Sequence, residues 1–168
     1  MHTEGSEPVP VRKLSRRGLG SRVIGMMGNA RALQTCCSQE TETLAAELAA
    51  TLSAGDVVLL EGELGAGKTT FVRGACRALG VRTLVTSPTF TIGQLYPAPV
   101  TVAHVDLYRL ADLDREDPDL LADYLRADTI SFVEWPDVGE AQIAALGRRC
   151  RRVRICHAGA DRRTVEIG

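Results

Sequence analysis

The chain has 168 residues, 45% of them hydrophobic and 24% charged, which suits one domain with a single substantial core and is too short for two ordinary ones. The formal net charge of -1 conceals a segregation: arginine and lysine gather near the N-terminus and over residues 148–163, acidic residues over 106–140, so net charge selects no class of partner. No apolar run approaches the roughly 20 residues that cross a bilayer, which excludes a spanning helix.

Residues 1–35 are rich in glycine, arginine and serine without a sustained period and read as a flexible basic extension, either a solvated tail or an arm that touches RNA. Arg16-Arg17 is followed by glycine-broken sequence with Arg22 where an apolar core would lie, so no export signal is expected. The five cysteines, Cys36, Cys37, Cys76, Cys150 and Cys156, lack the paired spacing of a zinc site. Free thiols and a cytoplasmic location are the expectation.

A helix is expected from Ser38, which can cap it, with Leu44, Leu48 and Leu52 at helical spacing before Gly55. Residues 57–60 are a short apolar run that suits a strand buried on both faces. A second helix over 68–79 aligns Phe71, Ala75, Ala78 and Leu79, and Gly80 ends it. Residues 89–96 and 100–107 read as a hairpin around Pro97-Ala98-Pro99, the acidic stretch 112–128 as a loop with a helix near 118–125, and 130–135 as another strand. Residues 151–157 and 164–167 close the chain as a second hairpin.

Between the first strand and the second helix lies Gly62-Glu63-Leu64-Gly65-Ala66-Gly67-Lys68-Thr69, a complete P-loop pattern in the strand-loop-helix setting that gives such a pattern meaning. A triphosphate is held only when many donors replace its lost water. Glycines let the backbone N–H groups of Gly62, Leu64, Gly65, Ala66, Gly67, Lys68, Thr69 and Thr70 converge on the phosphates, aided by the positive end of the helix. Lys68 then reaches the β and γ phosphates and the Thr69 hydroxyl ligates Mg²⁺. The fold class implied is α/β, a single P-loop NTPase domain with a central mixed sheet flanked by helices, using ATP. Asp106 and Glu134 each follow an apolar strand, and either can hold the metal as a Walker-B acid does, or stand as a solvated acid. The guanine-selective Asn-Lys-x-Asp pattern is absent, which argues against a regulatory GTPase.

Four strings occurring in order resemble the bacterial TsaE (YjeE) ATPases: Gly62 to Phe71, Thr86-Ser87-Pro88-Thr89-Phe90-Thr91, His104-Val105-Asp106-Leu107-Tyr108-Arg109-Leu110 and Val133-Glu134-Trp135-Pro136. The resemblance covers roughly residues 38–168. It implies an ATPase that supports formation of threonylcarbamoyladenosine beside the anticodon of tRNAs, acting on a TsaD-like transferase and a TsaB-like scaffold and touching tRNA through that complex, with neither membrane nor DNA as partner. It implies that Thr69 and Asp106 coordinate Mg²⁺, that Glu134 beside them is needed for hydrolysis, that Ser87, Pro88 and Thr89 form a switch, and that Ser38 and Thr41 border the adenine.

Tyr108 and Arg109 follow Asp106 closely in sequence, so one can fix the loop and the other pair with a phosphate or an acid, either can contact a partner or report nucleotide state, and Arg109 reads equally as a plain surface arginine. Trp135, the only tryptophan, is a packing residue, a partner contact or a reporter of nucleotide state. His104, inside an apolar strand, reads as a satisfied buried histidine rather than a base. The acidic stretch 112–124 lacks the family's Glu-Leu run, and the N-terminal extension is outside the family core. A small-molecule kinase and a nucleotide-gated binding module are the competing readings.

Overall fold

The structure, a computed structural model, describes residues 22–27, 30–88, 91–110, 119–146 and 149–168. Eight strands, β1 (Arg22–Met27), β2 (Ala30–Thr35), β3 (Asp56–Glu61), β4 (Gly93–Tyr96), β5 (Thr101–Asp106), β6 (Thr129–Glu134), β7 (Arg149–His157) and β8 (Arg163–Ile167), form one sheet in the order β1-β2-β8-β7-β3-β6-β5-β4. Among the described residues the α-helices are α1 (Ser38–Ala49), α2 (Lys68–Ala78) and α3 (Glu140–Leu146). The middle four strands, β7, β3, β6 and β5, run parallel, and antiparallel pairs finish both sides.

Alternation along β3 sends side chains to two separate cores, which is why its apolar run is continuous. Val58 and Leu60 join Phe71, Val72 and Ala75 of α2 and Leu44, Ala45 and Leu48 of α1 on one face. Val57 and Leu59 join Leu107, Leu121, Leu125 and Ile143 on the other.

The two helices of the first face approach each other at Gly74, where an added Cβ would stand 2.4 Å from the Glu42 carbonyl oxygen and 2.5 Å from its Cα. Backbone cannot yield as a side-chain tip does. Gly74→Ala is therefore expected to cost about 1–3 kcal/mol by forcing the helices apart. A thermal melt would read this as a midpoint lowered by several degrees, and an unchanged midpoint would show that the contact is slack.

Three expectations need correction. The basic extension is expected to run to residue 35, but β1 and β2 occupy residues 22–27 and 30–35. Strand β2 pairs with β8, Leu33 opposite Val165, and both side chains are fully buried. The partner strand lies at the far end of the chain, so no local pattern announces it. The earlier part of the extension, with both readings attached to it, lies outside the described residues.

Ser38 does not cap α1. Cys37 occupies that position without a side-chain bond, and the Glu40 carboxylate reaches back to accept from the Cys36 amide at 2.7 Å. Residues 119–125, the described part of the acidic-stretch helix, are a series of turns rather than a helix. The Tyr124 carbonyl accepts from the hydroxyls of Thr129 and Ser131, each at 2.9 Å, so side chains of β6 take an acceptor that a continuing helix would use.

The five cysteines are free thiols. Burial pushes the Cys76 thiol up to about 12. No helix among the described residues is long and apolar enough to cross a membrane.

Candidate active site

Parallel strands β3, β5 and β6 end together, and their register brings Leu60 and Asp106 each opposite Glu134. The glycine-rich loop starts one residue past β3, so it curls over the ends of strands that carry both acids. Open α/β sheets bind ligands at this edge. The loop needs its glycines where φ is positive: +146° at Gly62, +77° at Gly65 and +108° at Gly67, the residue that caps α2. Among the described residues, its chain neighbours aside, no atom lies within 4 Å of a Cβ built at Gly67, so the requirement there is one of backbone conformation.

One cavity of about 520 Å³ gathers most of the residues singled out from the sequence. Leu64, Gly65, Gly67, Lys68, Thr69 and Thr70 line it from the loop and α2, Ser87, Asp106, Tyr108 and Arg109 from the segment around β5, and Glu134 and Trp135 from the end of β6. The amino end of α2 and the Lys68 ammonium make one wall attractive to an anion.

The opposite wall is acidic and organised by hydrogen bonds. Thr69 Oγ1 donates to Glu134 Oε1 at 3.0 Å, Ser87 Oγ donates to Asp106 Oδ2 at 3.1 Å, and the Tyr108 amide donates to Asp106 Oδ1 at 3.0 Å. Among the described residues no three His, Cys, Asp or Glu side chains cluster closely enough to hold a metal alone. A hydroxyl and two carboxylates at one cavity are instead an oxygen set that fits Mg²⁺, which keeps waters and phosphate oxygens among its ligands.

Lys68 is buried and donates to the carbonyls of Gly62 at 2.7 Å and Glu63 at 3.0 Å, closing the loop on itself. Burial pulls its pKa below the ordinary range, opposed by the charges of Glu134 and Asp106. Its Nζ also lies 4.0 Å from the centroid of the Trp135 ring, a cation–π contact, and Tyr108 packs on the same ring at 4.9 Å between centroids. Trp135 holds a left-handed backbone conformation, φ 59°, uncommon for a bulky residue and found where a local arrangement imposes it.

The chain is similar to known proteins over most of its length. Residues 36–165 match the family described as "Threonylcarbamoyl adenosine biosynthesis protein TsaE". The chain belongs to the TsaE family. The tRNA threonylcarbamoyladenosine biosynthesis protein TsaE of Streptomyces coelicolor is 45% identical over 121 residues, 70% of this chain and 80% of the relative. That of Bacillus subtilis is 40% identical over 134 residues, 79% and 81% of the two chains. The crystal structure of Bacillus subtilis YdiB superposes with a TM-score of 0.67 at 32% identity, covering 85% of this chain and 87% of that one.

The remaining TsaE-like assignments divide. Pro88 is buried and lines a small neighbouring cavity with Asp106, Tyr108 and Arg109. Thr89, the last of the three residues expected to form a switch, lies outside the described residues. Gly62 and Ala66 shape the loop from outside the main cavity: a Cβ at Gly62 would meet the Ile155 carbonyl oxygen at 2.3 Å, and Ala66 is fully buried.

Ser38 and Thr41 line a second cavity of about 280 Å³ that shares Gly67 and Thr70 with the first. The Thr41 hydroxyl is engaged by Thr35 Oγ1 at 2.9 Å and by the Cys37 carbonyl at 3.3 Å. Cys37, Asp161 and Arg163 complete that wall, and Arg163 Nε donates to the Ala66 carbonyl at 2.9 Å. None of these three is expected from the sequence to border a nucleotide. Arg163 is 97 positions from Ala66, and only the β7–β8 hairpin brings it to the loop.

Much of the C-terminal arginine cluster is committed within the fold. Arg149 pairs with Asp56, Arg152 with Glu61 and Glu140, and Arg154 with Glu61.

Proposed function

We propose that this TsaE family member is the ATPase component of the tRNA threonylcarbamoyladenosine modification machinery, binding ATP with Mg²⁺ and hydrolysing it to support turnover of a TsaB–TsaD pair in the cytoplasm. The observation that carries the reading is the convergence of Lys68, Thr69, Asp106 and Glu134 on one cavity beneath the glycine-rich loop.

In this reading the loop amides and Lys68 hold the β and γ phosphates, and the adenosine extends past Gly67 and Thr70 into the cavity bordered by Ser38, Thr41 and Arg163. Thr69 and Asp106 would hold the metal, with Glu134 beside them, and a bound Mg²⁺ would supply charge neutralisation at the phosphate oxygens. Glu134 orients a water in line with the γ-phosphorus and draws on its proton as the P–O bond to ADP lengthens. Little proton-accepting strength is needed, because positioning and charge stabilisation dominate phosphoryl transfer. Ser87, hydrogen-bonded to Asp106, links its loop to the metal side of the site and is suited to sense the nucleotide.

The test is ATP hydrolysis by the purified chain with Mg²⁺, alone and with the TsaB–TsaD pair. Turnover that appears or rises with the pair is the expected result. Phosphorylation of a small metabolite hydroxyl, with no effect of the pair, would replace this reading with that of a kinase.

A further inference from the structure

We propose that His104 is a positioning residue for hydrolysis, holding the Glu134 carboxylate in its working orientation. The inference rests on the assignment of Glu134 to the attacking water.

His104 is fully buried in β5, and its Nε2 lies 2.9 Å from Glu134 Oε1. An ionised carboxylate only accepts, so against it the imidazole donates from Nε2. The other ring nitrogen, Nδ1, is buried with no hydrogen-bond partner among the described residues. An unpaired buried polar atom is costly, and β5 otherwise offers this face an apolar neighbour, Val102. As a packing residue His104 is therefore inferior to an aliphatic one. Its compensating contact is the bond to Glu134.

The geometry of the sheet gives that bond its use. His104 and Asp106 are two apart on one strand and point to the same face, while Asp106 is paired in register with Glu134 on the next strand. Strand β5 thus presents one acid itself and aims the other through His104. Among the described residues Thr69 and His104 both reach Oε1, which leaves Oε2 clear of these two bonds. Thr69 sits in the first turn of α2 beside the loop, whereas His104 lies within the sheet, so His104 holds Glu134 from an element separate from the loop.

The experiment compares His104→Leu and His104→Gln with the wild-type chain, measuring kcat for Mg-ATP with the TsaB–TsaD pair, the nucleotide dissociation constant by calorimetry and the melting midpoint. His104→Leu is expected to lower kcat by about tenfold to a hundredfold, the scale of a misaligned reacting group, with nucleotide affinity changed by less than about twofold. His104→Gln, whose amide nitrogen can donate from nearly the Nε2 position, is expected to recover most of that loss. Wild-type kcat in His104→Leu would overturn the proposal. So would a parallel fall of kcat, affinity and melting midpoint in both variants, which is the signature of packing alone. Absence of turnover in the wild-type chain would remove the proposed function and this inference together, whereas active wild type with an unaltered His104→Leu removes the inference only.

Discussion

Lys68→Ala is expected to lower ATP turnover by about 10²–10³-fold, the loss typical of deleting one preorganised charge-stabilising donor, and to weaken nucleotide binding with it. The lysine is placed for two tasks. Its ammonium is the cation at the amino end of α2 facing Asp106 and Glu134, and it also ties the loop through Gly62 and Glu63. Alanine removes both the charge and the tie. Lys68→Arg should not rescue it, because the compact ammonium is enclosed between two carbonyls and the Trp135 ring, where a planar guanidinium has no room to reproduce the contacts. Hydrolysis assays and calorimetric titration with Mg-ATP read the two losses separately. Wild-type affinity and turnover in Lys68→Ala would show that the cavity is not a phosphate site.

Glu134→Gln is expected to separate binding from hydrolysis: turnover falls by about a hundredfold or more while Mg-ATP still binds. The substitution keeps shape and retains a carbonyl oxygen that can accept from Thr69 and His104, so the wall of the cavity should persist. What it loses is the charge that draws on the attacking water. Glu134 is 3% exposed, so bulk water has little access with which to substitute for that charge. The same variant decides whether hydrolysis or occupancy is the functional event. A Glu134→Gln chain that binds ATP yet fails to support tRNA threonylcarbamoylation in cells would favour hydrolysis. Full support without turnover would favour a nucleotide-gated module.

The arrangement also explains why local sequence was a good guide at this edge of the molecule and a poor one elsewhere. Glycines at 62, 65 and 67, a four-residue apolar run before them and a 3.6-period after them are all short-range signals, and each became the expected loop, strand or helix. Asp106 and Glu134 were visible because a parallel sheet ends its strands together and each acid closes an apolar run. Helix α1 was legible in its apolar spacing but not in its cap, since the bond that satisfies the Cys36 amide comes from Glu40 rather than from a serine hydroxyl.

Composition and spacing were enough for one α/β unit, a glycine-rich loop and two acids after it, because those features are written in residues that are neighbours or alternate along a strand. Tertiary structure decided the rest: that residues 22–27 and 30–35 are strands, that Arg163 braces the loop, that Trp135 covers Lys68, and that a buried histidine meets Glu134. Each of these depends on pairing across tens of residues or more than a hundred, where a chain's periodicity carries no information about which distant segment will supply the partner.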